Sequence, residues 1–350
     1  MLIYIILIIL TIIFGMIFEK NNKKLYSIIM IILFTLIAGL RNYTIGNDTQ
    51  PYFHSFNNFL VYGYDSFSIS RFEKGYILLN LIVGIFTDNF TIMLTICALI
   101  INIFICNFIR KNSKSMCMSF LLFFFCRFFF SEMNIVRQYI ALGIFLYSIK
   151  YIENKRMLKY LLYICIAAAF HYSVIFMIPL YYLYDIKLDK KKIIYMSLIT
   201  LLVNYAFYDI LMKLTNVLGI YQGYVTEFYG SNKIGSIIVF FMYFIVYIFL
   251  LYITKHKKVM KKDNFLYNCS FILVLVSFLA IKLSVLSRIT EYLSILMIVQ
   301  IPNFIGYIES PKKRLVLYMG VIFCFICYCV VITYFRPNWN NIYPYKFYWQ

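Results

Sequence analysis

Long apolar runs separated by short polar or basic segments recur along the whole chain. About 20 apolar residues are needed to carry a helix across the hydrocarbon core of a bilayer. Alternating short strands, which are typical of a membrane barrel, are not the pattern here. The runs predict an all-α polytopic integral membrane protein with spans near 2–18, 25–40, 90–109, 116–131, 135–151, 193–209, 235–254, 264–281, 290–308 and 315–335.

Two further apolar segments do not fit as single spans. Residues 75–87 are too short to cross a bilayer and predict a partial or re-entrant helix. Residues 157–186 lie between two basic clusters, so the chain must enter the membrane and return, with a break at 170–173 and Ser173 as the N-cap of the second helix. The map totals about twelve transmembrane helices plus the partial helix.

The basic clusters between the spans set the predicted orientation. Lysine-rich segments such as 187–192 and 255–262 are typical of the cytoplasmic side. With all clusters placed there, the outer side receives polar segments from distant parts of the chain. We therefore predict a single transmembrane domain, 1–350, whose external site is formed by the outer loops 41–74 and 209–233 and the tail 336–350.

Composition narrows the function. The chain of 350 residues is 63% hydrophobic and only 13% charged, well below the charged fraction of soluble domains. A net charge of +19 does not indicate nucleic-acid binding, because the cations lie in clusters between spans. The nine cysteines fall within or beside apolar runs, which favours buried thiols over a metal site. We expect neither a metal nor a cofactor.

Three arginines stand alone near predicted outer span ends: Arg41, Arg137 and Arg288. Such side chains either extend to the lipid headgroups or bind an anion. The guanidinium group matches phosphate oxygens with a planar fork and stays charged when partly desolvated. Taken together, the three arginines favour a polyanionic ligand at the outer leaflet.

Three residues are candidates for acid–base chemistry. Asp48 either forms the turn after Gly46 or activates a hydroxyl group, and Glu73 either favours a helix N-terminus or faces a sugar. His171 lies at the break of the predicted membrane hairpin, where it is either a hydrogen-bonded core residue or a proton acceptor.

Several nucleotide and hydrolase motifs are not found in the sequence. It has no P-loop, no HExxH, no GxSxG and no DxD pair. A nucleotide-activated donor is therefore not expected, and the pattern favours a substrate carried by a lipid.

An ordered set of motifs spans nearly the whole chain. These are Arg41 with Gly46, Asp48, Thr49 and Tyr52; Phe72-Glu73 with Gly75-Tyr76 and Leu79-Asn80; Arg137-Gln138 with Ala141; Ala169-Phe170-His171 with Ser173; Arg288 with Tyr292; and Pro344-Tyr345. The set resembles the EpsG family of exopolysaccharide and O-antigen polymerases of the Wzy type. The resemblance implies a fold related to the lipid-dependent, GT-C-like membrane glycosyltransferases.

The resemblance also implies an activity. A glycan on undecaprenyl diphosphate would be transferred to the terminal sugar hydroxyl of another lipid-linked repeat unit, at the outer face of the bacterial cytoplasmic membrane. His171, Asp48 or Glu73 would be catalytic, and substrate would be bound by Arg41, Tyr52, Arg137, Gln138, Arg288 and Tyr292. The lipid-linked oligosaccharide and the bilayer are the expected partners, with a chain-length regulator and a flippase as further candidates.

Other functions share some of these features. A flippase for lipid-linked oligosaccharide would use the same arginines, but it should show hydropathy repeats and charges in mid-membrane helices. A ligase-like transferase would use the same chemistry on a different acceptor, so the sequence separates it poorly from a polymerase. A membrane acyltransferase would need an acyl donor.

Overall fold

The computed structural model describes residues 2–218, 233–255 and 257–350. Regular structure in these residues is helical apart from one isolated bridge between Arg41 and Phe347. The chain forms two compact units, Met1–Ile178 with Ile308–Gln350 (unit 1) and Pro179–Tyr307 (unit 2).

Unit 1 carries most of the predicted site residues. Its α-helices are α1 (Leu2–Phe18), α2 (Lys23–Gly39), α3 (Thr49–Tyr62), α4 (Ser66–Ile69), α5 (Lys74–Gly84), α6 (Phe90–Asn112), α7 (Met116–Phe125), α8 (Phe128–Asn134), α9 (Val136–Glu153), α10 (Met157–Ala168) and, after unit 2, α17 (Pro311–Phe335). Short 3₁₀ helices cover Gly63–Asp65, Tyr172–Met177 and Pro337–Trp339.

Close helix packing holds unit 1 together. Helix α6 packs between α2 and α9, and a Cβ at Gly39 would lie 2.6 Å from Thr95 Oγ1, so the small residue allows α2 and α6 to approach. A cluster of buried phenylalanines fills the space beside them, and Phe34 meets Phe123 edge to face at 5.2 Å.

Unit 2 is described by itself. Its helices are α11 (Leu180–Leu183), α12 (Lys190–Leu218), α13 (Lys233–Thr254), α14 (Lys261–Ala280), α15 (Ser287–Ser294) and α16 (Met297–Ile305). Helix α14 packs against α13 and α15. Its buried Asp263 accepts hydrogen bonds from Asn303, at 3.2 Å, and from the Tyr307 hydroxyl, at 2.7 Å.

Among the described residues, helices α6, α13, α14 and α17 are long and apolar enough to cross a membrane. The number rises to six if each of two bent helix pairs forms one span. Shorter apolar helices include α1, α5 and α10. The expectation of a multi-pass helical membrane protein is supported, whereas the number of twelve spans stays a prediction.

Two spans predicted as continuous helices are bent. The run at 116–131 becomes α7 and α8, which meet at 55°. The run at 290–308 overlaps the helix pair Ser284–Ser294 and Met297–Ile305, which is bent by 46°. The first bend lies at Arg127, whose backbone is left-handed with φ of 69°. The buried Arg127 side chain donates to Thr333 Oγ1 at 2.9 Å and to Asn340 Oδ1, which ties the bend to neighbouring segments of unit 1.

A short helix begins at residue 74 and a break follows α10, as predicted, whereas their placement in the membrane stays a prediction. Helix α5 has 11 residues, and three residues separate the end of α10 at Ala168 from the 3₁₀ helix that starts at Tyr172. The Tyr160 hydroxyl donates to Met177 O at 2.6 Å, so the chain turns back against α10. Ser173 is not the N-cap as predicted; His171 has that position, because the 3₁₀ helix begins earlier.

The predicted outer loops are partly helical. Residues 41–74 contain α3, where Tyr52, Phe56 and Phe59 are buried at helical spacing and give the segment one apolar face. Helix α12 continues to Leu218, so the loop predicted at 209–233 begins as helix, and residues 219–232 of that loop lie outside the described residues.

Candidate functional site

The centre of the candidate site in unit 1 is the carboxylate of Glu73. Its Oε1 lies 3.0 Å from Nδ1 of His171, and its Oε2 forms an ion pair with Nη1 of Arg137. Arg137 and His171 lie 64 and 98 residues after Glu73 along the chain. The three residues are largely buried, with side-chain exposures of 6% for Glu73, 11% for His171 and 20% for Arg137. We call them the Glu73 triad.

Backbone contacts hold the two sides of the triad together. Glu73 is the extended residue before α5, and His171 is the extended residue before the 3₁₀ helix. The Gly75 N–H donates to Ala169 O at 2.7 Å, so the start of α5 is bonded to the residue that directly follows α10. The carboxylate forms no capping bond to its own helix and points to His171 and Arg137 instead.

We expect Gly75→Ala to disturb this contact. A Cβ at position 75 would lie 2.7 Å from Ala169 O, which is the carbonyl that accepts the Gly75 N–H. The backbones must separate, at a cost of about 1–3 kcal/mol in unfolding free energy. Thermal unfolding of the purified protein measures this, with Gly320→Ala as the control because nothing lies within 4 Å of a Cβ there. Equal stability of both variants would contradict the tight contact.

The arginine of the triad is held by aromatic rings. The guanidinium carbon of Arg137 lies 4.2 Å from the centre of the Phe72 ring and 5.9 Å from the centre of the Tyr52 ring. Tyr52 is buried on α3, so its ring is held in position beside the guanidinium group. Cation–π contacts of this kind stabilise a partly desolvated guanidinium group.

The electrostatics define the protonation of the triad. Burial opposes ionisation of Glu73, but the hydrogen bond from His171 and the charge of Arg137 outweigh it and hold the pKa of the Glu73 carboxyl below its ordinary value. An ionised carboxylate only accepts hydrogen bonds, so Nδ1 of His171 carries the hydrogen. In the neutral ring Nε2 is then the basic atom, and this atom is buried without a hydrogen-bond partner among the described residues.

A pH dependence of stability follows from Glu73. Because its folded pKa lies below the ordinary 4.5, its contribution is complete above that value and is lost as the pH falls through the folded pKa. At pH values below 4.5, we expect the midpoint temperature of unfolding to decrease more steeply with falling pH in the wild type than in Glu73→Gln. Parallel curves for both proteins would contradict the depressed pKa.

Arg41 lies in a different setting from Arg137. It is 2% exposed and donates to Met133 O at 2.7 Å, to Ala38 O and, at 3.4 Å, to Ile45 O. Burial lowers the pKa of Arg41 to about 10, so the group is still a cation at neutral pH. These bonds tie the end of α2 to the end of α8, just before Arg137. Its predicted role in substrate binding stays a prediction.

The remaining predicted residues occupy separate positions. Asp48 is half-buried at the start of α3 and acts electrostatically on Tyr52, and Gln138 is buried beside Arg137 on α9. Arg288 is exposed in the first turn of α15, and Tyr292 is fully buried one turn later; both belong to unit 2. The contacts described therefore join Glu73, His171, Arg137 and Tyr52.

Two buried ionisable residues of unit 1 have no role in the site predicted from the sequence. Arg127 bonds to Thr333 and Asn340, and Glu132 accepts from Asn102 Nδ2 at 3.1 Å. A charged residue inside an otherwise apolar run is the signal that marks both positions, because such residues are rare in membrane spans.

Segments predicted to share the outer face do meet in unit 1. Asn42 N–H donates to Lys346 O at 2.9 Å, Gly46 N–H to Asn341 O at 3.0 Å, and Tyr348 N–H to Leu40 O at 2.9 Å. The tail 336–350 thus lies along the loop that follows α2. Among the described residues, no group of three or more His, Cys, Asp or Glu side chains is arranged to hold a metal ion.

Comparison with known proteins gives one match. The family model described as the EpsG family matches residues 24–347, which include every member of the Glu73 triad. No curated protein and no solved structure matches the chain. Since the family model covers more than half of the sequence, the chain belongs to the EpsG family.

Proposed function

We propose that this protein is a polysaccharide polymerase that uses a lipid-diphosphate donor. Membership of the EpsG family carries the coarser statement that it is a membrane protein of the exopolysaccharide-polymerase type. The proposal adds the donor, a glycan on undecaprenyl diphosphate, and the acceptor, the terminal sugar hydroxyl of a second lipid-linked repeat unit.

The observation that carries the proposal is the unpartnered Nε2 of His171, whose Nδ1 is bonded to Glu73. An imidazole oriented by a carboxylate is a general base, and a hydroxyl nucleophile needs one. The acceptor hydroxyl would donate to Nε2 and attack the anomeric carbon of the donor. As the new C–O bond forms, the proton passes to Nε2, and Glu73 stabilises the resulting imidazolium.

The bond to the diphosphate breaks in the same step. Its electron pair leaves with the undecaprenyl diphosphate, so negative charge grows on the leaving group. Arg137 would stabilise this charge, since its Nε is buried without a partner among the described residues and its guanidinium group is partly exposed. Once released, the diphosphate can accept the proton that His171 holds, which restores the base.

The proposal includes a location in the membrane. We place the Glu73 triad at the outer face of the bacterial cytoplasmic membrane, in a chain of about twelve crossings with a GT-C-like fold. The packing of the predicted outer segments 40–46 and 341–348 against each other supports a common face. Arg41 and Arg288 stay candidates for binding the diphosphate and Tyr292 stays a candidate for substrate binding, and a flippase and a chain-length regulator are the proposed partners.

Elongation in a purified system tests this function. The protein in proteoliposomes is incubated with undecaprenyl-diphosphate-linked repeat units from the source bacterium, and the products are separated by size. We expect a ladder of glycans that differ by whole repeats. Movement of substrate across the membrane without elongation would indicate a flippase, and transfer of one block to another acceptor would indicate a ligase; either result would contradict the proposal.

A further inference from the structure

Three consecutive aromatic residues near the end of the described chain form an exposed surface in unit 1. The rings of Phe347 and Trp349 are parallel, with centres 4.4 Å apart and an interplanar angle of 5°. Tyr348 meets Trp349 edge to face at 4.8 Å. Trp349 is 60% exposed and Tyr348 is 49% exposed. We call these three residues the tail aromatic cluster.

The cluster is fixed to the protein by its backbone. Tyr348 N–H donates to Leu40 O, and Arg41 pairs with Phe347 in the isolated bridge. The Gln350 N–H donates to Phe347 O at 3.0 Å, and the Gln350 side chain accepts from the Phe347 N–H at 3.0 Å. The rings are therefore held in a defined position, so little conformational entropy is lost when a ligand binds to them.

The cluster and the Glu73 triad belong to the same unit, and Arg41 contacts segments that lead to both. Arg41 pairs with Phe347 through its backbone, and its guanidinium group donates to Met133 O, four residues before Arg137. The segment that carries the rings is thus bonded to the segments of unit 1 that lead into the triad. This bonded path to the triad is the reason for assigning the rings to the glycan, and the lipid-quenching measurement below tests the alternative of headgroup contact.

We propose that the tail aromatic cluster is a binding subsite for the glycan part of the substrate. Exposed Trp and Tyr rings offer large, rigid, amphipathic surfaces that suit the apolar faces of sugar rings while their polar tips reach hydroxyl groups. The inference rests on the proposed function, because it names the part of the lipid-linked oligosaccharide that this surface recognises. The subsite holds the glycan, while the triad performs the transfer.

The tryptophans of the chain make the subsite measurable. The sequence contains only two, Trp339 and Trp349, and both lie in the tail. In Trp339→Phe, all tryptophan emission comes from Trp349. We expect a saturable change in this emission when lipid-free oligosaccharide, prepared from the repeat unit, is added to the protein in proteoliposomes.

A second readout uses elongation. Trp349→Ala is expected to raise the KM for the acceptor about tenfold while kcat is retained, and Trp349→Phe should restore most of the affinity. Tyr252→Ala is the matched control, because Tyr252 is an aromatic residue 80% exposed on α13, beside the lysine-rich segment 255–262 that is predicted to be cytoplasmic. It should keep the wild-type KM.

The outcomes separate the subsite from the function. If the wild type forms ladders but its Trp349 emission ignores the oligosaccharide and Trp349→Ala keeps the wild-type KM, the subsite is refuted and the polymerase stands. Quenching by brominated lipids with no response to sugar would likewise identify an interfacial anchor and overturn the subsite. A saturable response to sugar without any ladder would support the subsite and contradict the polymerase.

Discussion

Replacing His171 with alanine is expected to reduce glycan elongation about 100- to 10,000-fold, the usual contribution of a general base. Its Nε2 is the one basic atom of the Glu73 triad that has no partner within the described residues. His171→Gln should be similarly inactive, because an amide of similar size cannot take the proton. The rate is measured from the ladder formed by purified protein in proteoliposomes.

The control for His171 is another histidine of unit 1. His54 is exposed on α3 and packs beside the Phe53 ring, away from the contacts of the triad. His54→Ala should elongate at the wild-type rate. Normal elongation by His171→Ala, in protein that unfolds at the wild-type temperature, would remove the histidine from the mechanism.

Replacing Arg137 with alanine is expected to abolish the ladder and also to destabilise unit 1. The substitution removes the partner of a buried carboxylate, which typically costs about 3–5 kcal/mol. It also removes the cation proposed to stabilise the leaving diphosphate. Arg137→Lys keeps the charge but loses the planar fork that lies against Phe72, so we expect a partial loss of rate with a smaller loss of stability.

Arg71 provides the comparison for Arg137. Arg71 lies two residues before Glu73 and is exposed. It therefore has the same charge as Arg137 but is not a member of the triad. Arg71→Ala should unfold and elongate as the wild type does. An Arg137→Ala variant that forms wild-type ladders would show that the guanidinium group is not needed for transfer.

Much of the helical fold follows from apolar runs. The run at 2–18 coincides with α1, and the short run after residue 74 is the partial helix α5, because burial in lipid or protein needs a continuous apolar segment. The bend at Arg127 was not predictable from the run that contains it, since Arg127 donates hydrogen bonds to Thr333 and Asn340, which are distant in the sequence. The helix α3 was missed because its apolar residues form one face between polar residues, and not the long continuous run from which the spans were predicted.

The residues of the Glu73 triad were selected from the sequence, but the contacts between them were not predicted. Glu73, Arg137 and His171 were each selected, yet only the fold shows that the first binds the other two. Arg41 and Arg137 have the same residue type at similar predicted positions. Their hydrogen-bond partners differ in the fold, because Arg41 donates to backbone carbonyls of unit 1 whereas Arg137 pairs with a carboxylate.

The most direct test of group transfer is the amount of undecaprenyl diphosphate released for each glycosidic bond formed. Both quantities are measured in one reaction, with the lipid product counted by chromatography and the new linkages counted from the ladder. We expect one released lipid diphosphate per added repeat in the wild type, and neither lipid diphosphate nor new linkages in His171→Ala. Elongation without release of lipid diphosphate, or release that continues undiminished in His171→Ala, would contradict the proposal.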